Sequence, residues 1–423
     1  MKEKIDLEER IAYKHTKLGI IPKDWQVKQI GEIAKVGNGA TPRRDRKDYW
    51  HDGRFPWLPT GKVNERVISY AEEFITDIAL KESSVKLLPI GTILLAMIGQ
   101  GKTRGKVAYL NIESCINQNF AYIKPNDNIY SWFLFHYLEY QYLQIRGEGR
   151  GGNQDAINCK IVKDYLVAIP SLPEQKAIAD TLSTWDKGIE KLQQLISAKK
   201  KQKEALMQQL LTGKKRFKEF TDEWQEVKYG DMLKQVKRPV EWNDEELYDL
   251  ISVRRRSGGL FHRESLFGHQ ILTKDLYTAR KGDFLISKMQ ILHGASGLTT
   301  EEFDGMKVSG SYISVVAKNS NKLDIEFFCW LSKLPNFYHQ TYIASYGVHI
   351  EKMTFDFKTF LKLSTQLPPI KEQRKIVNVL NAAEKELEIL QQKLNTLNQQ
   401  KKGLMHKLLT GQVRVNLKKE LVD

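Results

Sequence analysis

Two stretches of the chain carry the same heptad spacing of apolar positions. In the first, the seam reads Ile178, Leu182, Trp185, Ile189, Leu192, Ile196, Lys199, Lys203, Leu206 and Leu210. In the second it reads Ile376, Leu380, Ala383, Leu387, Leu390, Leu394, Leu397, Lys401, Leu404 and Leu408. Steps of four and three alternate throughout, which is the seam of a coiled coil rather than the broader stripe of a helix lying on a globular core. Lysine interrupts the seam at a matching place in both. Each stretch opens on a proline cluster followed by Glu-Gln and closes on Leu-Leu-Thr-Gly. Proline suits the first turn of a helix and glycine the position just past its end. Pro170–Arg216 and Pro368–Arg414 align without a gap at an offset of 198, with 19 of 47 positions identical.

Two seams in one chain predict two helices that pair with each other. About 150 residues precede the first helix, and a similar length separates it from the second. If the first helix leads away from one folded head, the second must lead back from the other, so the pair is expected to be antiparallel. Some 37 helical residues at ~1.5 Å each make a rigid spacer of ~55 Å.

The heads repeat as well. Trp25-Gln26 and Gly31 recur as Trp224-Gln225 and Gly230 at an offset of 199, so the repeating unit is a head plus a helix. The tryptophan reads as a core anchor rather than a ligand contact. In both heads a glycine-initiated apolar strand (from Gly91 and from Gly282) runs into a Gly-rich, basic loop and then another strand. An aromatic helix (Trp132 to Tyr142; Phe327 to Tyr338), a final loop and a short strand follow. The expected fold class is therefore α+β: two pseudo-repeated heads of mixed α and β structure, joined by two long helices that form an antiparallel coiled coil. Residues 1–20 read as a short polar helix or arm, 21–168 as the first head and 169–216 as the central helix. Residues 217–366 read as the second head, and 367–423 as the closing helix and tail.

Charge narrows the partner. The chain has 423 residues, 66 Lys and Arg against 51 Asp and Glu, a net charge of +15 and a pI near 9.4. That balance points to a polyanion, nucleic acid before membrane surface. Cys115, Cys159 and Cys329 show no metal-ligand spacing and no paired framework, which fits a reducing cytosol. The opening MKEKIDLEER lacks the apolar core of a signal peptide, and the apolar run Trp132–Leu138 is too short to span a bilayer.

The basic loops are the candidate chemistry. In the first head they comprise Thr41, Arg43, Arg44, Arg46 and Lys47, then Lys62, then Gln100, Lys102, Arg104 and Lys106. Arg146, Arg150, Asn153 and Gln154 follow in the loop after the aromatic helix. In the second head they comprise Arg254, Arg255, Arg256, His262, Arg263, Lys288 and His349. Lysine and arginine meet phosphates, arginine reads guanine edges through paired N–H groups, and Asn and Gln read adenine. Against this stands the ordinary reading of any one of them as a solvated surface charge. The run Lys199 to Lys203 reads equally as a phosphate track or as a solvated helix face. His136 and His339 sit on the aromatic helices and read as structural. Ala96–Thr103 (AMIGQGKT) satisfies a relaxed phosphate-loop pattern, but that chemistry needs a helix starting at Lys102-Thr103, and Arg104–Leu110 reads as a strand. No metal site, nuclease carboxylate cluster or nucleophile with its base stands out, so the chain is expected to bind rather than catalyse.

Duplicated helices opening on Leu172–Gln175 (LPEQ) and Ile370–Gln373 (IKEQ), closing on Leu210–Gly213 and Leu408–Gly411 (LLTG), resemble the specificity (S) subunit of type I restriction–modification systems. The segment Gly39–Gly61, with GATPRR, YW and FPWLPTG, is similar to that family too, and the second head departs from it by lacking the Thr-Pro loop and Pro-Trp strand. The resemblance covers nearly the whole chain. It implies that each head is a target recognition domain reading one half of a bipartite double-stranded DNA site, with the helices fixing the gap. It also implies two modification (methyltransferase) subunits docked on helices and heads, joined by restriction/translocase subunits. This chain would hold no cofactor and no catalytic residue, S-adenosylmethionine, ATP and Mg2+ being used by the partners. Two other classes are a stand-alone NTPase built on Lys102 and a coiled-coil scaffold with incidental charge.

Overall fold

The computed structural model describes residues 12–99, 101–147 and 156–415. The chain divides into two compact units, residues 1–193 with 392–423, and residues 194–391. The division falls inside both long helices, Leu172–Leu210 and Ile370–Leu409.

Within the first unit, the opening half of the first helix lies against the closing half of the second. Ile178, Ala179 and Leu182 share a core with Met405, Leu408 and Leu409, and Lys401 reaches Asp186 at 2.5 Å. Within the second unit, Lys199 meets Glu386 at 2.7 Å, Lys203 bonds Glu384, and Leu210 packs with Ile376 and Leu380. Partner numbers fall as the first helix advances, so the segments run antiparallel in each unit, as the seams predict. The Lys203–Glu384 pair reappears 198 residues on as Lys401 with Asp186. The seam lysines Lys199, Lys203 and Lys401 are each held by a carboxylate of the facing helix, while Lys200 and Lys201 of the same run are exposed. The buried stripe stays narrow in mid-helix and widens at the ends, where Ala179, Val377, Met405 and Leu409 join it. There the helix lies on a head, and a broader apolar face is what a globular core requires.

One contact set closes each unit. In the first, Glu174 is 1% exposed; it accepts from Trp25 Nε1 at 3.2 Å and from Arg414 Nε and Nη2 at 2.6 and 2.8 Å. In the second, Glu372 is fully buried and accepts from Trp224 Nε1 at 3.2 Å and from Arg216 Nε and Nη2 at 3.0 and 2.8 Å. The neighbouring glutamine is the second half of the lock. Gln175 accepts from the Tyr130 amide and donates to the Asn128 and Pro170 carbonyls; Gln373 accepts from the Asp324 amide and donates to Lys322 and Pro368. The Leu-Leu-Thr-Gly ends complete it: Gly213 and Gly411 sit at φ +70° and +73°, and a Cβ on Gly411 would lie 2.4 Å from Pro22. Only glycine both takes the left-handed cap and leaves room for the neighbouring chain there.

Each head is built on the same antiparallel sheet. In the first unit the order is Ala34–Asn38, Phe120–Pro125, Ile93–Ala96, Val107–Leu110, with Val67–Ile68 added at the edge. In the second it is Leu233–Val236, Tyr312–Ala317, Phe284–Ser287, Ser296–Leu298. The aromatic helix packs on it: Ser131–Tyr140 in the first unit, Ile325–Leu331 and Pro335–Ile343 in the second. A two-stranded sheet ties the head's entry to its exit, Gln26–Gln29 with Leu166–Ile169, and Gln225–Lys228 with Ser364–Leu367. The heads differ in what is added. The first carries a small sheet of Phe55–Leu58, Glu73–Ile75 and Cys115–Ile116; the second a four-stranded sheet of Leu247–Val253, Leu260–Phe267, Lys307–Ser309 and Leu276–Thr278.

Of the opening arm expected over residues 1–20, residues 1–11 lie outside the described residues, and the rest is extended rather than helical. Tyr13–Thr16 and Gly19–Pro22 form a hairpin turning at Gly19, φ +94°. Its Ile21 is buried in the first core and Tyr13 Oη donates to the Gly411 carbonyl at 3.2 Å. An apolar residue with a core to enter outweighs the polar character of its neighbours.

The lock makes a stability prediction. Glu372→Ala strands the Trp224 N–H and the Arg216 guanidinium, and because Arg216 keeps a face in water the expected cost is about 2–3 kcal/mol. Glu174→Ala should cost a similar amount through Trp25 and Arg414. Urea unfolding measures both, and a loss under about 0.5 kcal/mol in either would show the lock to be ornamental.

Candidate nucleic-acid interface

The Thr41–Arg54 loop presents guanidinium groups that are already oriented. Asp45 takes Nε and Nη2 of Arg43 at 3.2 and 2.6 Å, and Asp48 takes the same two nitrogens of Arg46. The hydrogen bond from each arginine holds its aspartate below the usual carboxylate range. Such a grip leaves Arg43 with Nη1 and one N–H of Nη2 beyond its aspartate, donors that suffice to read a guanine edge, whereas Arg46 Nη2 also donates to Glu82 at 3.3 Å. Arg44 bonds Glu73 at 2.5 Å and lies 3.8 Å over the ring of Trp50 and 4.7 Å over Trp57. Trp57 is locked by its Nε1 on the Ala40 carbonyl, so the small sheet carries the loop. Thr41 is exposed and donates to Gln118 at 2.5 Å.

Residues 97–106 connect two antiparallel strands, Ile93–Ala96 and Val107–Leu110. No helix begins at Thr103, so the phosphate-loop geometry is not formed and the NTPase reading loses its support. Lys102 is exposed at this tip and its carbonyl accepts from Tyr142 Oη. The Arg104 carbonyl accepts from Arg146, and Lys106 donates to Asn64 at 2.7 Å. Lys62 corrects expectation. It is only 6% exposed, held by Glu65 and Glu72 at 2.6 and 3.2 Å with Tyr70 beneath, so it braces its own turn and reaches no ligand without breaking both pairs. Gln100, Arg150, Asn153 and Gln154 lie outside the described residues.

In the second head, the turn after Leu247–Val253 exposes Arg254, Arg255 and Arg256. Arg254 donates to the Leu260 carbonyl and lies over Phe261; Arg255 is 4.0 Å from Glu351. Arg256 is at φ +58°, its amide bonded to the His293 carbonyl. Arg263 pairs with Glu264 at 2.6 Å and His262 lies near Asp249 on the exposed edge strand. Lys288 donates to Gly310 at 2.6 Å, and His349 sits at an exposed tip. Arg43, Arg44 and Arg46 thus stand on the loop beside the first head's added sheet, and Arg254, Arg255, Arg256 and Arg263 on the second head's added sheet, whereas Lys102 and Lys106 lie on a hairpin of the shared sheet and Lys288 just past one of its strands.

A second cluster escaped sequence reasoning. Arg66, at φ +64°, bonds Glu139 and, at 2.7 Å, Asp186, while Lys401 meets Asp186 and lies 3.6 Å from Glu139. His136 is fully buried beside them: Nε2 is 3.3 Å from Ser183 Oγ, and Nδ1, without a hydrogen bond, is 3.7 Å from Glu139 and 4.0 Å from Asp186. Burial pushes the His136 pKa down, outweighing the pull of Glu139. His339, expected to be structural on the same grounds, is exposed. The three thiols are unpaired, and burial raises that of Cys115 to about 12. Among the described residues no cluster of three or more His, Cys, Asp or Glu is placed to hold a metal ion, and no helix is long and apolar enough to cross a membrane.

The chain belongs to the type I restriction–modification DNA specificity family, whose domain matches it twice, over residues 22–200 and 221–399. It is a specificity subunit, the recognising and non-catalytic part of such a system. It is 33% identical to the MjaIX specificity subunit of Methanocaldococcus jannaschii over 58% of this chain, a stretch spanning 56% of that relative's length. It is 25% identical to the putative MjaX specificity subunit of the same organism over 95% of this chain and 97% of the relative. In fold it is similar to the S subunit of M. genitalium, with a TM-score of 0.55, 15% identity, and 91% and 96% of the two chains covered.

The buried histidine yields a pH prediction. Its folded pKa lies below the unfolded value near 6.5. The unfolded chain therefore binds the extra proton first, and stability is full above about pH 6.5 and declines as pH falls below it. His136→Gln should flatten that decline between pH 7 and 5 in urea titrations. Identical profiles for the two chains would show that the imidazole is not desolvated in the folded state.

Proposed function

We propose that each head reads one half of a bipartite duplex DNA site, that the paired helices set the unspecified gap, and that two methyltransferase subunits dock on the helices and heads, with restriction subunits joining them. This chain would take no cofactor, leaving S-adenosylmethionine, ATP and Mg2+ to its partners. The observation that carries the reading is the contrast within the repeat. The lock residues, the order of the four central strands and the heptad seams recur, with 19 of 47 helix-segment positions identical, whereas the added sheets and the arginine-bearing loops on them do not. A repeated scaffold under unlike reading surfaces is what two different half-sites require. The scaffold alternative leaves unexplained why arginines are oriented by carboxylates in those loops.

Replacing Arg43, Arg44 and Arg46 by Ala should weaken duplex binding by the assembled complex. Each lost phosphate contact should reduce the slope of log K against log salt by about 0.9. A lost bidentate base contact should relax one position of one half-site by roughly 1–3 kcal/mol. Unchanged affinity and an unchanged methylated motif would mark these arginines as ordinary surface.

The spacer is tested where the two units divide. Seven residues inserted between Gln193 and Gln194, and seven between Gln391 and Gln392, keep the heptad and add ~10.5 Å of helix. That is about three base pairs at ~3.4 Å each. Activity should fall, because three base pairs turn the duplex by roughly 100° while a heptad hardly turns the helix pair. The methylation that survives should keep both half-sites and lengthen the gap by about three. An active variant with the original gap would mean that the helices are not the ruler.

A further inference from the structure

The second head carries a structured tip whose apolar side chains face water. Ser345–Tyr346 pairs with Thr354–Phe355, and the turn between them is fixed by the Lys352 amide on the His349 carbonyl at 2.8 Å. Gly347 sits at φ +139° with the Met353 backbone 3.0 Å from where a Cβ would be. Yet Tyr346 is 64% exposed, Val348 94% and Ile350 55%, and Met289 stands alongside, 43% exposed, with its sulfur 3.7 Å from Thr354 Oγ1. Large apolar groups held outward on an ordered turn mark a contact surface.

What surrounds the tip selects the occupant. Glu351 reaches Arg255 at 4.0 Å and His293 at 3.4 Å, and the Phe355 amide bonds the Lys288 carbonyl at 2.9 Å. The tip is therefore one surface with the arginine turn and with Lys288, and His349 and Lys352 on the tip itself are exposed. A basic rim around an apolar point complements a duplex, where phosphates flank grooves and the thymine C5-methyl is the apolar feature of the major groove. We propose that Tyr346, Val348 and Ile350 make apolar base contacts, packing on thymine methyl groups in the half-site that the second head reads. The inference rests on the DNA-reading assignment above and adds to it residues that carry no charge.

The test uses the chain assembled with its methyltransferase subunits. Val348→Ser and the isosteric Val348→Thr leave the fold intact, since the side chain touches little. Each should lower affinity for the methylated motif, Val348→Ser by about tenfold, and relax one position of one half-site. The salt slope and binding to unrelated duplex should stay as they were, because no phosphate contact is lost. Uracil in place of thymine at that position removes only the methyl, and should reproduce the loss in the unaltered complex while having no further effect on Val348→Ser. Unchanged motif and affinity would overturn the proposal. So would variants that fail to assemble with the methyltransferase while the chain's own DNA binding is unaltered, which would make the tip a protein contact. If the unaltered complex shows no preference for any duplex, the DNA-reading assignment itself fails, an outcome visible before any variant is made.

Discussion

A carboxylate taken out of water must find partners, and in this chain that requirement closes both units. Glu174 and Glu372 each stand at the start of a long helix and each bind one tryptophan and one arginine. The arginine comes from just past the end of the other long helix. An unpaired buried charge costs several kcal/mol, so the helix start, the helix end and the head entry are held to one arrangement. The glycine caps and the glutamines follow from it, since both bring backbone close enough for the acid to be enclosed.

This arrangement separates the shared scaffold from the elements added to each head. The shared sheet, the aromatic helix and the lock bury most of the large side chains, from Trp25 and Phe133 to Phe327 and Phe360. The small sheet of the first head and the four-stranded sheet of the second have cores of their own, around Trp57 and Ile75 and around Ile251 and Val308. Loops built on satellite cores can differ between the halves without disturbing the shared sheet and the lock.

What the sequence made legible follows from periodicity. The seams, their direction and the head-plus-helix repeat could all be read because side chains three and four apart share a face whatever else the chain does. The mixed character of the heads was readable for the same local reason. Pairings across long separations were not. Arg66 finds Asp186 across 120 residues and Arg414 finds Glu174 across 240. Lys62 looks like any basic loop residue until Glu72 and Tyr70 are seen around it. The lock did leave a trace, because Trp, Glu and Arg each recur at nearly one offset, but identity at an offset does not say which residues touch. The apolar tip left none, since Ser345–Lys352 reads as an ordinary final loop until exposure is known.

The two locks close differently along the chain. In the second unit Arg216 and Trp224 are near neighbours in sequence, and residues 194–391 form a continuous stretch. In the first, Trp25 must wait for Arg414. During synthesis from the amino end, the second unit therefore has all its parts as soon as residue 391 has emerged. The first, though its head is made earliest, lacks Met405, Leu408 and the arginine of its lock until the last helix is out. A nascent chain thus finishes its later half before its earlier one. Until then the core that Ile178 and Leu182 share with the first head lacks the side that Met405, Leu408 and Leu409 supply, so the closing turns of the second long helix complete a core begun at the other end of the chain.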